Sequence, residues 1–559
     1  MSPRQETAGG RRGREAASWL AVLVAAGVGV GLIWDAAGRV GSTYDEVTYL
    51  NVAAEWWRTG RQESIARMGS PLTFWKLQQA AVLAWLDASG RGGWIDHPEP
   101  NRAWLLPVVR RGAVWIWVVG LVATAVWAGM VYGPAARAVA AGLFAFGPNL
   151  VAHGTLITME APVTACAAVS GLGAWIWLDR GWRGGWWLSA VAAGVGLSCK
   201  FTILAFVPLI GVGQAWVLMR RGNRFWAEVV PRVVGCGVGY LVVMAAVDGV
   251  ITGGAAIPLS ETRGEHPALE AWVGPELSRV LGGFLEQRWP QDFVAFVRQM
   301  QHQASGGPSY LLGERRPRGW FHYYLVALAV KLPLGVLMMM GARAVWDRRV
   351  ARGRPADGLL LVIPLGLLGL ASIGSTRNYG VRYLLPAAPA MVVWMAGLVR
   401  AGWGGRVVCG LGLTMTGLAT MGIHPHELTF FNRLAGGPAG GRWILADSNL
   451  DWGQGAPELA RLQRQRPELA DLTTYYFGQG DPGDYGVQGR RIVIDASSDP
   501  SGMPRRIEAE TAYVGVSSSL IWGPWGPEGV FERLREIEPV AWTGDRTIAV
   551  YRREDVVAE

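Results

Sequence analysis

Apolar residues in this chain fall in long blocks, most of them too long for the core helices of a small globular domain. The first block, residues 17–34 (ASWLAVLVAAGVGVGLIW), carries no charged side chain. A bilayer core needs about 20 apolar residues of helix to cross it. Windows of roughly that kind recur near 112–132, 135–152, 160–178, 186–199, 201–219, 229–251, 321–342, 358–374, 381–400 and 403–423. Eleven spans are therefore expected, with Ser198-Cys199-Lys200 read either as a tight turn between two of them or as a break in one kinked element. Past residue 423 the pattern changes. RWILADS, LTTYYFGQG, RIVIDAS, AYVGVSS and TIAVYRR alternate as strands do, and APELARLQRQ and EGVFERLREIE have helical spacing. The expected fold is a polytopic α-helical membrane protein of about 11 transmembrane helices, carrying a C-terminal extracytoplasmic α/β domain.

Charge sets the orientation. Arginines gather in alternate loops: Arg11, Arg12 and Arg14; Arg180 and Arg183; Arg220, Arg221 and Arg224; Arg343, Arg348, Arg349, Arg352 and Arg354; Arg400 and Arg406. Cytoplasmic loops hold the basic excess, so the N-terminus is expected inside and the C-terminal domain outside, in the cell's inner (plasma) membrane. This divides the chain into a cytoplasmic tail (1–16), a transmembrane domain (17–423) with outer loops 35–111 and 252–320, and an outer domain (424–559). Within the loops, VTYLNVAAEWW, PLTFWKLQQAAVLAWL and DFVAFVRQMQHQ read as amphipathic helices lying along the membrane surface. The basic N-terminus followed by an apolar run resembles a signal peptide, but the run is long and lacks a small-x-small site, so an uncleaved anchor is expected.

Composition narrows the chemistry. The formal charge of +9 comes from short-loop arginines, and no nucleic-acid partner is implied. Cys166, Cys199, Cys236 and Cys409 lie in or beside apolar runs without CxxC or Cys/His zinc spacing, and read as small core residues. No fixed-period repeat is visible, which counts against transporter folds made of inverted halves.

Acidic residues at the lip of the bilayer are the chemical signal, because carboxylates near lipid are costly and usually functional. Asp45 and Glu46 follow the first span by about ten residues and read either as a catalytic base with its neighbour or as caps of a surface helix starting at Val47. Glu160, in HGTLITMEAPVTAC, sits at the outer start of the fourth span, where the helix dipole also favours an acid. Two such acids at similar depth point to a shared site. Of 52 basic residues only Lys76, Lys200 and Lys331 are lysine. Lys76 and Lys200 fall at the outer face, where an ammonium suits a phosphate headgroup. Lys331, halfway down an apolar stretch, faces a polar cavity or snorkels. Arg377 and Arg382 share the short outer loop STRNYGVRYLLP, against the orientation rule, and point to an anionic partner or to headgroup anchoring. His424, His426 and Glu427 (HPHE) have ligand chemistry, but two histidines at i, i+2 read first as structural. Asp447 and Asp451, in DSNLDWGQG, read as substrate contacts or helix caps.

TYDEVTYL, GLSCKFT, PSYLLGERRPRGWFHYY, NYGVRYLLPAAP and FFNRLAGGPAGGRWILADSNLDWGQG resemble segments of the GT-C glycosyltransferases. Within that superfamily the chain is similar to the protein O-mannosyltransferase and lipid A aminoarabinose-transferase group, the bacterial phospholipid-carrier-dependent enzymes. The resemblance implies inverting transfer of a sugar from a polyprenyl-phosphate donor to a lipid, polysaccharide or protein acceptor outside the membrane. It implies no resident cofactor, and the reaction is metal-tolerant or metal-independent, so a divalent metal is compatible with it. Asp45 takes the place of the catalytic acid, with Glu46 beside it, and Glu160 the second acidic position, where many relatives have Asp. Donor phosphate contacts fall to Lys200, Arg377, Arg382 and Lys76. Tyr310, His322, Tyr324, Asp447 and Asp451 are the expected substrate contacts. A polytopic lipid or sugar transporter is the competing reading.

Overall fold

The computed structural model of the protein describes residues 8–60, 66, 68–70, 74–259, 283, 286–349, 353–374, 376–495 and 504–557. Among the described residues, eight helices are long and apolar enough to cross a membrane: Gly10–Arg39, Arg102–Tyr132, Glu160–Arg180, Phe201–Arg220, Phe225–Thr252, Pro355–Gly374, Val381–Arg400 and Gly402–Ile423. Two bent pairs pass the same measure: Pro134–Ala145 with Pro148–Thr155, bent by 59°, and Tyr323–Lys331 with Leu334–Asp347, bent by 113°. The remaining apolar block, 186–199, forms the fifteen-residue helix Arg183–Leu197. At 1.5 Å per residue it is about 22 Å long, short for a full span. Its Gly185 and Gly173 of the preceding helix bring the two backbones together, since a Cβ on either would meet main-chain atoms of the other. Small residues allow that approach. Ser198 and Cys199 form a turn, which settles the choice between turn and kink.

Both bends have local causes. Pro148 opens the second half of the first pair. Pro333 interrupts the second, and the carbonyls it frees are met by side chains: Asn432 Nδ2 donates to Ala329 O at 2.7 Å and Leu332 O at 2.9 Å, and Asn149 Nδ2 to Lys331 O at 2.7 Å. Irregular backbone at membrane depth persists only when its polar groups are satisfied within the protein.

The three amphipathic stretches are helical as expected, as Tyr44–Thr59, Phe74–Ala88 and Gln291–Ser305. Two small antiparallel pairs, β1 (Ala256–Pro258) with β2 (Arg288–Pro290) and β3 (Ser309–Leu311) with β4 (Glu314–Arg316), lie in the stretch before the bent pair. The C-terminal region builds a five-stranded sheet from β5 (Leu472–Phe477), β6 (Arg491–Ile494), β7 (Tyr513–Ser517), β8 (Ala541–Trp542) and β9 (Ile548–Arg552). Its order is β6-β5-β7-β9-β8, with β6, β5 and β7 parallel and β9 antiparallel to both of its neighbours, β7 and β8. Central β5 (LTTYYF) is buried along its whole length. One core cluster joins Tyr475, Phe477, Val514 and Val516 of the sheet to Ala152, Leu156, Tyr310 and Leu428 from the membrane part, so the sheet is packed down onto the helix ends.

Two expected elements differ. RWILADS is a turn that runs into the 3-10 turn Asp447–Asn449, because the N–H groups of Arg442, Trp443, Ile444 and Leu445 donate back to carbonyls of residues 438–441 and not to a neighbouring strand; Ile444 O accepts from Leu312 N of the β3–β4 hairpin at 3.0 Å. EGVFERLREIE is an irregular turn and a single 3-10 turn, Glu532–Arg535. Gly529 there has φ +77°, which an α-helix cannot continue, yet Phe531 and Leu534 are still buried.

Candidate active site

The surface helix Tyr44–Thr59 begins one residue after Thr43, earlier than the expected start at Val47, so Asp45 and Glu46 lie in its first turn. Adjacent helical residues point about 100° apart, and the two acids separate. Glu46 turns into the protein and is fully buried. Its Oε1 accepts from Arg110 Nε at 2.9 Å and Ile157 N at 3.0 Å; its Oε2 accepts from Arg110 Nη2 at 2.5 Å and from Thr43 N and Oγ1, both at 3.0 Å. Arg110 spends its remaining donors on the carbonyls of Val40 and Gly41, at 2.7 and 2.8 Å. Five bonds on one carboxylate leave Glu46 no lone pair for a proton in flight, and it is better described as a brace than as a partner of Asp45.

Asp45 stays half-exposed and accepts from Arg382 Nη1 at 2.9 Å. The same Nη1 lies 3.7 Å from Glu160 Oε1. Glu160, the first residue of its helix, also accepts from Lys200 Nζ at 2.8 Å. Lys200 is placed by the turn after Arg183–Leu197, and Arg382 by the 3-10 turn Val381–Ala387. Four residues scattered between positions 45 and 382 thus alternate as acid, cation, acid, cation. Tyr383 closes the group, its ring 4.3 Å from Lys200 Nζ, and Trp452 stacks under the Arg382 guanidinium at 4.1 Å. Arg382 Nε makes no hydrogen bond. His153 is buried with its ring 6.4 Å from Trp452, and it lines a small cavity together with Glu160.

The C-terminal region supplies the roof. Asp447 adopts a left-handed φ of +57°, and burial, helped by nearby Asp45 against the pull of Arg382, pushes its carboxyl up to about 7. Tyr49, one helical turn from Asp45, is pushed well above its ordinary value by burial and by the charges of Asp45 and Glu160. Asp451 accepts from Gly453 N at 3.1 Å and Ser519 N at 2.9 Å, which makes it a tie within the domain.

Other expected site residues are placed elsewhere. Arg377 bonds to His302 Nε2 at 2.5 Å and Ser305 Oγ at 3.0 Å, over the helix Gln291–Ser305 and apart from the acids. Tyr310 is buried and donates to Arg442 O at 3.1 Å, joining β3 to the C-terminal region. His322 precedes the helix Tyr323–Lys331 with its ring against Phe321, and buried Tyr324 packs edge-on to Tyr323. Lys76 falls on the helix Phe74–Ala88, but its side chain is outside the described set. Lys331 neither lines a polar cavity nor snorkels: at the 113° bend it donates to Leu428 O at 2.9 Å and Asn449 O at 2.7 Å. In HPHE the two histidines diverge, His424 lying between Glu427 (2.5 Å) and Asp35 (3.0 Å), and His426 facing Glu458 at 3.5 Å. Among the described residues no three His, Cys, Asp or Glu side chains are grouped to hold a metal ion, and the partners of Asp45 and Glu160 are cations of the chain itself.

Sequence reading passed over His153, Tyr383, Trp452 and Tyr49. Each had a signal of position: His153 opens the segment that holds Glu160, Tyr383 adjoins Arg382, Trp452 lies in DSNLDWGQG, and Tyr49 is i+4 from Asp45.

An apolar groove with a cavity volume of about 180 Å³ adjoins this cluster. Leu143, Leu328, Val336, Leu368 and Met391 line it, from both bent pairs and from the helices Leu359–Gly374 and Ala388–Ala396. Val381, Leu384 and Leu385 line it too, so the turn that aims Arg382 at the acids also forms the groove wall.

No protein-family model and no curated protein matches the chain. Among solved structures it is similar to ArnT from Cupriavidus metallidurans in the apo state, at 14% identity over 97% of this chain and 99% of that one, with a TM-score of 0.43. It is also similar to ArnT bound to undecaprenyl phosphate, at 13% identity over 95% and 97%, with a TM-score of 0.44.

Proposed function

We propose that this protein is a membrane glycosyltransferase that moves a hexose or pentose from a polyprenyl-phosphate carrier to an acceptor on the extracytoplasmic side. One observation carries the reading: Arg382, bonded to Asp45 and near Glu160, sits on the turn whose Val381, Leu384 and Leu385 line the apolar groove. A ligand with a long apolar tail and an anionic head fits that pairing of surfaces.

The mechanism follows from the cluster. The isoprenoid lies in the groove and its phosphate meets Arg382, whose unpaired Nε is a spare donor, with Lys200 beyond. A phosphate oxygen on the Arg382 Nε shares the guanidinium's charge with Asp45, held on Nη1, and weakens that ion pair. Donor entry therefore releases the Asp45 carboxylate to take a proton from the acceptor hydroxyl or amine. The acceptor atom attacks the anomeric carbon from the face opposite the phosphate, and the bond from that carbon to the phosphate oxygen breaks. The electron pair leaves with polyprenyl phosphate, and the sugar inverts. Charge grows on the departing phosphate, so Arg382 and Lys200 lower the barrier as well as binding the ground state. Glu160 holds both cations in place. Incubating purified protein with a polyprenyl-phosphate sugar and candidate acceptors tests the reading. Release of polyprenyl phosphate with an inverted glycoside supports it; intact donor, moved across a vesicle membrane or merely bound, favours the transporter.

A further inference from the structure

A lysine buried at a break in a membrane helix is expensive to hold, and Lys331 is only 1% exposed. The partners of its Nζ are two main-chain carbonyls, Leu428 O at 2.9 Å and Asn449 O at 2.7 Å, with the Phe431 ring 4.6 Å away. Both carbonyls belong to the stretch entering the outer domain. From Asn449 the chain of contacts goes on. Its side-chain Oδ1 accepts from Val381 N at 3.1 Å, and its Nδ2 donates to Tyr323 OH at 2.9 Å. Val381 opens the 3-10 turn that carries Arg382 and Tyr383. Beside it Ser448 Oγ donates to Tyr379 O, and Gly380, at φ +120°, touches Ser448 and Asn449 so closely that a Cβ there would collide with the Ser448 hydroxyl. The Asp447–Asn449 turn is thus keyed onto residues 379–381 from above and fastened to Lys331 from below.

We infer that Lys331 and Asn449 form a positioning relay: Lys331 fixes the Asp447–Asn449 turn of the outer domain, and that turn sets Arg382 at the head of the apolar groove. Neither residue touches the reacting atoms. The outer domain then completes the anion site and is more than a separate module fused to it. The inference rests on the proposed function in assigning Arg382 to the phosphate, so its test is built on binding as well as turnover.

The probe is farnesyl phosphate, titrated calorimetrically into the full-length protein in detergent, with Lys331→Gln, Arg382→Lys and the double variant compared with wild type. Lys331→Gln is expected to weaken binding about tenfold, and to raise the donor KM while moving the acceptor KM less than about twofold. If Lys331 acts through Arg382, the double variant binds within about threefold of Arg382→Lys alone; residues acting as a unit are non-additive, whereas a general loss of packing adds to any other defect. Asn449→Ala, the other half of the relay, carries the same cycle should Lys331→Gln fail to fold. Multiplying defects, or wild-type affinity in both relay variants, would overturn the relay. A wild type that binds farnesyl phosphate but turns over no sugar donor would sink the transferase reading and leave the relay standing. A wild type that does not bind the probe sinks both.

Discussion

Arg382 reaches Asp45 across 337 positions of sequence, Nη1 to Oδ2 at 2.9 Å, and the same nitrogen stands 3.7 Å from Glu160. One guanidinium thus joins the helix Tyr44–Thr59 to the 3-10 turn Val381–Ala387. Of the two acids on Arg382, Asp45 is half-exposed and Glu160 is buried, and Asp45 is the group assigned to take the acceptor's proton. Asp45→Asn keeps the shape and loses the base. Transfer should fall by about 10²–10⁴-fold, the usual contribution of a positioned base, while the melting temperature in detergent stays near wild type. Undiminished turnover would remove Asp45 from the mechanism.

Arg382→Lys retains the charge and gives up the planar fork. Donor KM should rise about 10- to 100-fold, with a smaller change for the acceptor. Steady-state kinetics with each substrate varied in turn separate the two effects, and an acceptor-dominated defect would contradict the assignment.

Glu46, next in sequence to Asp45, should behave differently. Truncating one partner of a buried ion pair typically costs about 3–5 kcal/mol. Glu46→Ala should therefore lower the melting temperature and the yield of folded protein, and the fraction that folds should keep a near-normal donor KM. A stable variant that is selectively dead in transfer would return Glu46 to the catalytic group.

Two groups outside the spans make stability fall as pH rises. Asp447 is held protonated up to about 7, against 3.8 ordinarily, so the stability it contributes is full below 3.8 and is lost as pH climbs through 7. His424 is raised from 6.5 by hydrogen bonds to Glu427 and Asp35, so its contribution is full below 6.5 and vanishes above its raised value. Melting temperatures should decline from pH 5 to pH 8. Asp447→Asn, which mimics the neutral acid, should flatten the lower part of that decline and melt above wild type at pH 8; an unchanged slope would refute the reading.

Filling the groove should discriminate by tail length. Ala388 lines it, and Ala388→Trp should weaken a long polyprenyl phosphate strongly and a two- or three-isoprene analogue much less. Equal loss for both lengths, measured by competitive binding, would place the tail elsewhere.

The membrane helices and three surface helices were legible because their signals are long and apolar, and no tertiary detail is needed to read eighteen uncharged residues. Asp45, Glu160, Lys200 and Arg382 could be picked out one at a time, by position at the bilayer lip and by the scarcity of lysine. Their pairing could not, because it depends on how distant segments fold together. That Glu46 is buried where Asp45 is not was hidden for a related reason: helix geometry separates neighbours, and the presence of Arg110 beneath Glu46 is a tertiary fact. RWILADS has the alternation of a strand, but its N–H groups donate back to residues 438–441 and its Ile444 O accepts from distant Leu312, and local pattern cannot anticipate such partners.

The break at Lys331 bears on how the chain is made. Its two carbonyl acceptors lie 97 and 118 residues downstream. During synthesis the ammonium must enter the bilayer before either acceptor has left the ribosome, and it stays without them until the final span has been threaded. A chain that stops short of residue 428 keeps that debt permanently. Nascent chains truncated between positions 400 and 427 should therefore be cleared by membrane quality-control proteases faster than the full-length protein, and replacing Lys331 with methionine should lengthen their lifetime.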